Sequence, residues 1–220
     1  EAASRASTCG NMQLYSLIVT QSRELREALA PCHFNQPMVT QAPCVITVCA
    51  DVHRFSMWCE QRDAEPCYDN FAWFLNGVTD ALLAAQNLCV EAEAHGLGIC
   101  YLGTTIYTAE EIARILDLPK GVIPVTTIVV GHPDESPELT DRLPLDAVVH
   151  CEKYHHYTSS EIDELWAEKE TSEETRRLLE ENGLPNLAQI FTRNRYRAED
   201  NLAISRNYFA LLKKQGFFNN

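Results

Sequence analysis

The chain has 220 residues, 45% of them hydrophobic and 22% charged, with a formal net charge of −13. That length buries a substantial core in one domain. The acidic balance excludes the basic surface that nucleic acid or an anionic membrane requires, and no apolar run approaches the roughly 20 residues of a membrane-spanning helix.

The first residues, EAASRAST, read as the closing turns of a helix, which implies that the natural protein has further residues upstream. Gln13 to Thr20 (QLYSLIVT) predicts a strand, and Ser22 caps a short helix through Ala30. Cys44 to Ala50 (CVITVCA) is a continuous β-branched and apolar run, the pattern of a strand buried on both faces. Asp51 to Asn70 mixes aromatic, charged and proline residues and reads as an excursion near a site. From Phe71 the spacing Phe74, Leu75, Val78, Leu82, Ala85, Leu88 and Ala92 is helical. Leu83, Ala84, Cys89 and Val90 make the remaining faces apolar as well, as expected of a central or interface helix.

That helix runs into Gly96-Leu97-Gly98 and continues as a strand, Ile99 to Gly103. Thr108 with Glu111 predicts a capping box for a helix ending near Leu118-Pro119. Val122 to Val130 (VIPVTTIVV) is the last strong strand, closed by Gly131-His132-Pro133. Beyond Cys151 the composition shifts to charged helices. Thr171 with Glu174 is expected to cap one that Gly183 stops, and a final helix carries Ile204, Tyr208, Leu211 and Leu212 on one face with Gly216 after its end. The expected organisation is a core over 1–150 and a helical extension over 151–220. Alternation of strand and helix implies a layered α+β or α/β fold.

The chain has no G-x-S-x-G elbow, P-loop or H-E-x-x-H. His155-His156 is the best metal candidate, but it lacks spaced partners and reads as a solvated pair, so no metal is expected. Arg193, Arg195 and Arg197 read as a solvated face or a contact with acidic surface. Nine cysteines, an odd number without C-x-x-C spacing, read as reduced thiols in a reducing compartment. Three segments are left. The polar turn Ser7 to Gln13 places small hydroxyl and amide groups where a phosphate or a ring edge is held, and is equally an ordinary helix-to-strand turn. Tyr101-Leu102-Gly103-Thr104 ends a strand on a glycine, which lets backbone lie against a ligand or simply marks a sheet edge. Arg142, in Asp141-Arg142-Leu143-Pro144, has the guanidinium fork that suits a phosphate.

Taken in order, RASTCGNMQLYSLIV, FNQPMVTQAP, DALLAAQNLCVEAEAHGLGICYLGTT, LDLPKGVIPVTTIVVGHP and DRLPLDAVVH resemble the FMN-dependent nitroreductase family, and in particular its larger, NADPH-preferring branch. The resemblance implies a three-layer α+β sandwich, with a central mixed sheet flanked by helices and a helical C-terminal extension. It also implies a cytoplasmic homodimer with FMN at the subunit interface, NAD(P)H as donor, and a small-molecule acceptor such as a nitroaromatic, a quinone or free flavin. By the same resemblance Thr8, Gly10 and Asn11 touch the flavin, Gln36 reaches the ring edge, Tyr101, Leu102, Gly103 and Thr104 pack on the ring face, and Arg142 holds the phosphate. Thr140 stands where the family often has a lysine, and the family's arginine-rich phosphate motif would lie before Glu1. No catalytic side chain is expected, because the flavin carries the electron chemistry. The alternatives are a specialised flavin reaction such as reductive dehalogenation, or a flavin-binding protein without turnover.

Overall fold

The computed structural model describes residues 1–218, and all four expected strands form: β1 (Tyr15–Thr20), β2 (Cys44–Asp51), β3 (Gly98–Leu102) and β4 (Val122–Gly131). They make one sheet in the order β1-β2-β4-β3. Val45 to Asp51 are all buried, as the unbroken apolar run in β2 requires of a strand with neighbours on both sides and layers on both faces. The sheet departs from the mixed one expected. All three pairings are antiparallel, because the long connection from β2 to β3 delivers β3 to the far edge. The place beside β2 then falls to β4, which runs against both of its neighbours.

The helices around this sheet are α1 (Arg23–Leu29), α2 (Met38–Gln41), α3 (His53–Glu60), α4 (Phe71–Ala94) and α5 (Ala109–Ile115). Side chains alternate across a strand, so one chain of residues serves both faces. Ile46, Val48 and Ile128 pack on Ala81, Ala85 and Cys89 of α4. Val45, Val129 and Leu102 point the other way, onto Ala30 and Val39, and Ile112 of α5 joins Leu29 and Cys32 there. The result is the expected helix–sheet–helix sandwich. The small residues of α4 bring it close to the sheet: a Cβ on Gly77 would lie 3.1 Å from the Ala50 Cβ and 3.2 Å from the Leu14 carbonyl. Its opposite face leaves Leu75, Leu82, Leu83 and Val90 between 43% and 57% exposed.

Asn70 caps α4 by accepting from the Trp73 N–H at 3.2 Å. The helix ends where Gly96 takes a φ of 74°, so that the Leu97 N–H reaches back to the Ala92 carbonyl at 3.0 Å. Two other cap expectations are corrected. Thr108 precedes α5, but its hydroxyl donates to the Cys32 carbonyl at 2.7 Å and Glu111 pairs with Arg114, so no capping box forms. Thr171 ends a helix rather than starting one. The cap is its neighbour Ser172, whose oxygen accepts from the Thr175 N–H at 3.1 Å.

The chain divides into two compact units, one of Glu1–Glu135 with the chain from Ile204 onward, the other Ser136–Ala203. The second contains α6 (Ser159–Thr171), opened by a Thr158/Glu161 capping box, then α7 (Glu173–Asn182), stopped by left-handed Gly183, and α8 (Leu187–Ile190), which continues as a π turn Phe191–Arg195. A last helix, α9 (Ala198–Lys214), lies in the first unit from Ile204, where Leu211, Leu212 and Phe217 join the core around Leu14, Ala50 and Phe74. Among the described residues no helix is long and apolar enough to cross a membrane.

Candidate active site

The turn before β1 is built around a residue that pattern reading passes over. Asp80, on α4 and only 2% exposed, accepts three hydrogen bonds from this turn. They come from the Thr8 hydroxyl, the Cys9 N–H at 2.9 Å and the Leu14 N–H at 3.1 Å. The Thr8 oxygen in turn accepts from the Gln13 N–H at 2.9 Å. The Thr8 hydroxyl proton is therefore committed inside the chain, and its role here is to hold the turn. What the turn displays is Gly10 and Asn11, both exposed, both in the left-handed region with φ of 55° and 56°. The signal that marks Asp80 is chemical: a lone carboxylate on an otherwise apolar helix face must find donors.

The second segment lies at the end of β3. Gly103 is exposed, has no positive φ, and a Cβ built on it meets nothing within 4 Å. Neither backbone conformation nor crowding within the chain calls for glycine there. Beneath it Thr104 is buried, its hydroxyl 2.8 Å from Nδ1 of His33. The Thr105 hydroxyl donates to the Leu102 carbonyl at 2.9 Å. Together with the Thr108–Cys32 bond, the His33–Thr104 contact fastens the segment around Cys32 and His33 to the turn that follows β3. Tyr101 points toward α4, its hydroxyl 3.5 Å from the Gln86 side chain, and burial against Cys89 raises its pKa.

The turn at Thr8 to Asn11 and the strand end at Gly103 occupy the same end of the sheet but opposite edges. Leu102 pairs with Thr127, Thr127 with Thr47, and Thr47 with Ile18, and from that level β3 runs toward the end where β1 begins. Three strand spacings separate the edges, about 14 Å. Arg142 belongs to the second unit, where its guanidinium donates to the Thr140 hydroxyl at 2.6 Å and to the Asp141 carbonyl at 2.8 Å. Asp141 itself is held by Lys169 at 2.8 Å, which lowers its pKa. His155 pairs with Glu161 at 3.0 Å, Arg197 with Asp200 at 2.7 Å, and the Arg195 guanidinium lies 5.4 Å from the Phe191 ring centroid. Of the thiols, Cys32, Cys49, Cys59 and Cys89 are buried, and all nine are free.

Burial lowers the pKa of His33 from 6.5 to about 4, and its Nε2 has no partner. The ring is thus neutral in the folded chain at neutral pH. Between pH 6.5 and 4 the unfolded chain takes up a proton there and the folded chain does not. Stability from this group is therefore complete above pH 6.5 and is lost as pH falls toward 4, by roughly 3 kcal/mol in all. His33→Asn, which cannot titrate, should flatten that part of the profile when urea unfolding is measured at pH 7, 5.5 and 4.5. Identical profiles for the two proteins would show that His33 does not titrate in this way.

The model of the nitroreductase family matches residues 1–132, and this chain belongs to that family. It is 33% identical over 157 residues to the FMN reductase (NADPH) of Bacillus subtilis (strain 168), a match covering 70% of this chain and 63% of the relative. It is 36% identical over 159 residues to the NADPH-dependent oxidoreductase of Staphylococcus aureus (strain USA300), with the same coverage. The match thus spans a little under two thirds of these relatives' length. Among solved structures, a protein from Bacteroides fragilis NCTC 9343 superimposes with a TM-score of 0.97 at 49% identity, over 99% of this chain and 88% of that one. The NfrA1 nitroreductase from B. subtilis does so with a TM-score of 0.83 at 26% identity, over 100% of this chain and 88% of that one.

Proposed function

We propose that this protein is an FMN-dependent oxidoreductase that takes electrons from NAD(P)H and passes them to a small-molecule acceptor, a nitroaromatic, a quinone or a free flavin. The observation that carries the reading is Gly103: an exposed glycine at a strand end, with open space where a Cβ would stand, required by nothing inside the chain. A flat ring laid against that backbone supplies the reason. The names of the B. subtilis and S. aureus relatives supply FMN and NADPH. When bound, the flavin supplies the hydride and electron transfer.

The residues of this chain then orient and enclose it. Gly103 and its neighbours Tyr101, Leu102 and Thr104 offer backbone to the ring, Gln36 an amide to its edge, Gly10 and Asn11 a polar turn, and Arg142 a cation to the phosphate. Asp80 is committed to its three donors and His33 is neutral, so neither is assigned a proton-transfer role. Two features of the geometry support a homodimer. The Gly10–Asn11 turn and Gly103 stand at opposite edges of one sheet, and α4 leaves an apolar face uncovered. A second copy brings the turn of one chain to the strand end of the other and covers that face. A reducing cytoplasm suits nine free thiols.

Purified protein should be yellow, elute as a dimer, and bleach on anaerobic addition of NADPH, with colour restored by a nitroaromatic or quinone. A yellow protein that NADPH does not bleach would point to flavin binding without turnover, and a monomer that holds FMN tightly would overturn the two-chain site. Arg142→Ala tests the phosphate contact. A charge-assisted bond of roughly 1.5–3 kcal/mol predicts FMN binding weaker by about one to two decades, with riboflavin, which lacks the phosphate, hardly affected. Equal weakening of both ligands in fluorescence titrations would make Arg142 a structural residue.

A further inference from the structure

The stretch from Asp51 onward, which reads in the sequence as an excursion near a site, sends one side chain back to the polar turn ahead of β1. Asp51 ends β2 and Arg54 stands in the first turn of α3, so two regular elements place the guanidinium. Asp51 is only 6% exposed and holds the arginine, accepting its N–H at 3.2 Å and its guanidinium at 3.3 Å. Asp51 also accepts the Ser16 hydroxyl, and the same arm of the guanidinium donates to the Ser16 oxygen at 3.2 Å. The other arm goes to backbone. It donates to the Gln13 carbonyl and, at 3.2 Å, to the Tyr15 carbonyl.

Gln13 is the residue that needs holding. Its φ is 54°, and with Gly10 at 55° and Asn11 at 56° it puts three left-handed residues between Gly10 and Gln13. Glycine and asparagine tolerate that region, whereas glutamine is strained there. The strain brings no burial, since Gln13 is exposed and its side-chain amide reaches the Asn11 carbonyl at 3.4 Å. What the conformation does is turn the backbone groups of one short segment in two directions. The N–H groups of Cys9 and Leu14 go to Asp80 on α4, and the carbonyls of Gln13 and Tyr15 go to Arg54 on α3. Between them the Leu14 carbonyl accepts the Asp51 N–H at 2.9 Å, and the Tyr15 N–H closes a three-residue turn on the Gln13 carbonyl at 2.8 Å. A carboxylate thus takes the donors and a guanidinium the acceptors, while Gly10 and Asn11 stay exposed.

We propose that Arg54 is a positioning residue for the flavin: it fixes the turn Gly10–Gln13 by its carbonyls, as Asp80 fixes it by its N–H groups, and so sets the backbone that meets the cofactor, an assignment that rests on the flavin oxidoreductase reading above. Strained backbone persists where the surroundings over-determine it at a site. The same geometry calls for arginine. One arm of the fork must meet the Asp51 carboxylate while the other meets two carbonyls, and a lysine ammonium is a single point of charge. The Arg54 side chain is more than half exposed, so losing it removes hydrogen bonds rather than core packing.

The test uses the whole chain in two variants that spare the fold. Arg54→Lys keeps a cation beside Asp51, and Arg54→Met combined with Asp51→Asn removes both charges, so neither leaves a buried carboxylate uncompensated. Hydrogen exchange is followed by mass spectrometry in the cofactor-free protein, and FMN affinity by fluorescence titration of the same samples. In both variants the peptide covering Cys9 to Leu14 should exchange about tenfold faster, peptides from β4 and α4 should exchange at the wild-type rate, and FMN should bind about tenfold more weakly. Wild-type exchange over Cys9 to Leu14 in either variant would show that other bonds hold the turn, and the assignment falls. Faster exchange that spreads to β4 and α4 would make Arg54 a general structural residue and overturn it as well. Faster exchange confined to the turn, with FMN affinity unchanged, would show that the turn does not position the cofactor, and the flavin reading would stand without it. If wild type takes up no FMN, the flavin reading itself fails and this assignment with it.

Discussion

Gly103→Val should leave the fold intact and empty the flavin site. The glycine has no positive φ, and a Cβ on it meets no atom of the chain within 4 Å, so the folded state loses nothing through contact. The expected thermal midpoint lies within about 2–4 °C of wild type, the shift that roughly 1 kcal/mol produces in a chain of this size. FMN meets the new methyl groups where its ring must lie against backbone. Affinity should fall by about two decades or more, equivalent to about 2.8 kcal/mol. Fluorescence titration of FMN into both proteins, with melting curves on the same samples, decides the matter. Unchanged FMN affinity in a folded Gly103→Val protein would remove the strand end from the site. Loss of fold together with FMN would make Gly103 a structural glycine.

The opposite pattern is expected at Asp80. Asp80→Ala strips the partner from the Thr8 hydroxyl and from the Cys9 and Leu14 N–H groups at one stroke. Thr8 and Cys9 are exposed enough to turn to water, but Leu14 is fully buried, and an unsatisfied buried donor costs roughly 1–3 kcal/mol by itself. With the cavity left by the carboxylate, a loss of about 3 kcal/mol is expected, seen as a large fall in the urea midpoint. The Gly10–Asn11 turn, deprived of its anchor, should lose order, and FMN affinity should fall with stability even though Asp80 is assigned no contact with the cofactor. Asp80→Asn, which keeps one accepting oxygen, should lie between the two. An Asp80→Ala protein as stable as wild type would show that the turn is held by other means.

The strands were legible because their signal is local. CVITVCA and VIPVTTIVV are β-branched runs without a helical period, and they became β2 and β4 with ends shifted by no more than a residue. The long apolar helix and its glycine stop were equally local, since a 3.6-residue period and a residue tolerating φ of 74° are properties of the segment itself. The caps were less secure, and the reason is competition. Thr108 could bond its own helix or the Cys32 carbonyl across space, and the distant partner won. Between Thr171 and Ser172 the choice was one residue, and the helix before it ran on through Thr171. The helices α2 and α3 went unread because four- and eight-residue pieces carry too little periodicity to distinguish from loop.

The site divides along the same line. By itself the sequence determined which segments are exceptional: a polar turn ahead of β1, a glycine ending β3, an amide at Gln36 and an arginine after a proline-rich loop. It also determined the family, because those segments recur there in that order. Only the tertiary structure decided what each side chain is free to do. Thr8 is committed to Asp80, and Thr104 to His33. It also decided that the turn and the glycine stand at opposite edges of one antiparallel sheet. Strand order depends on how long connections close in space, and free energy of closure varies only slowly with loop length, so no local pattern encodes it.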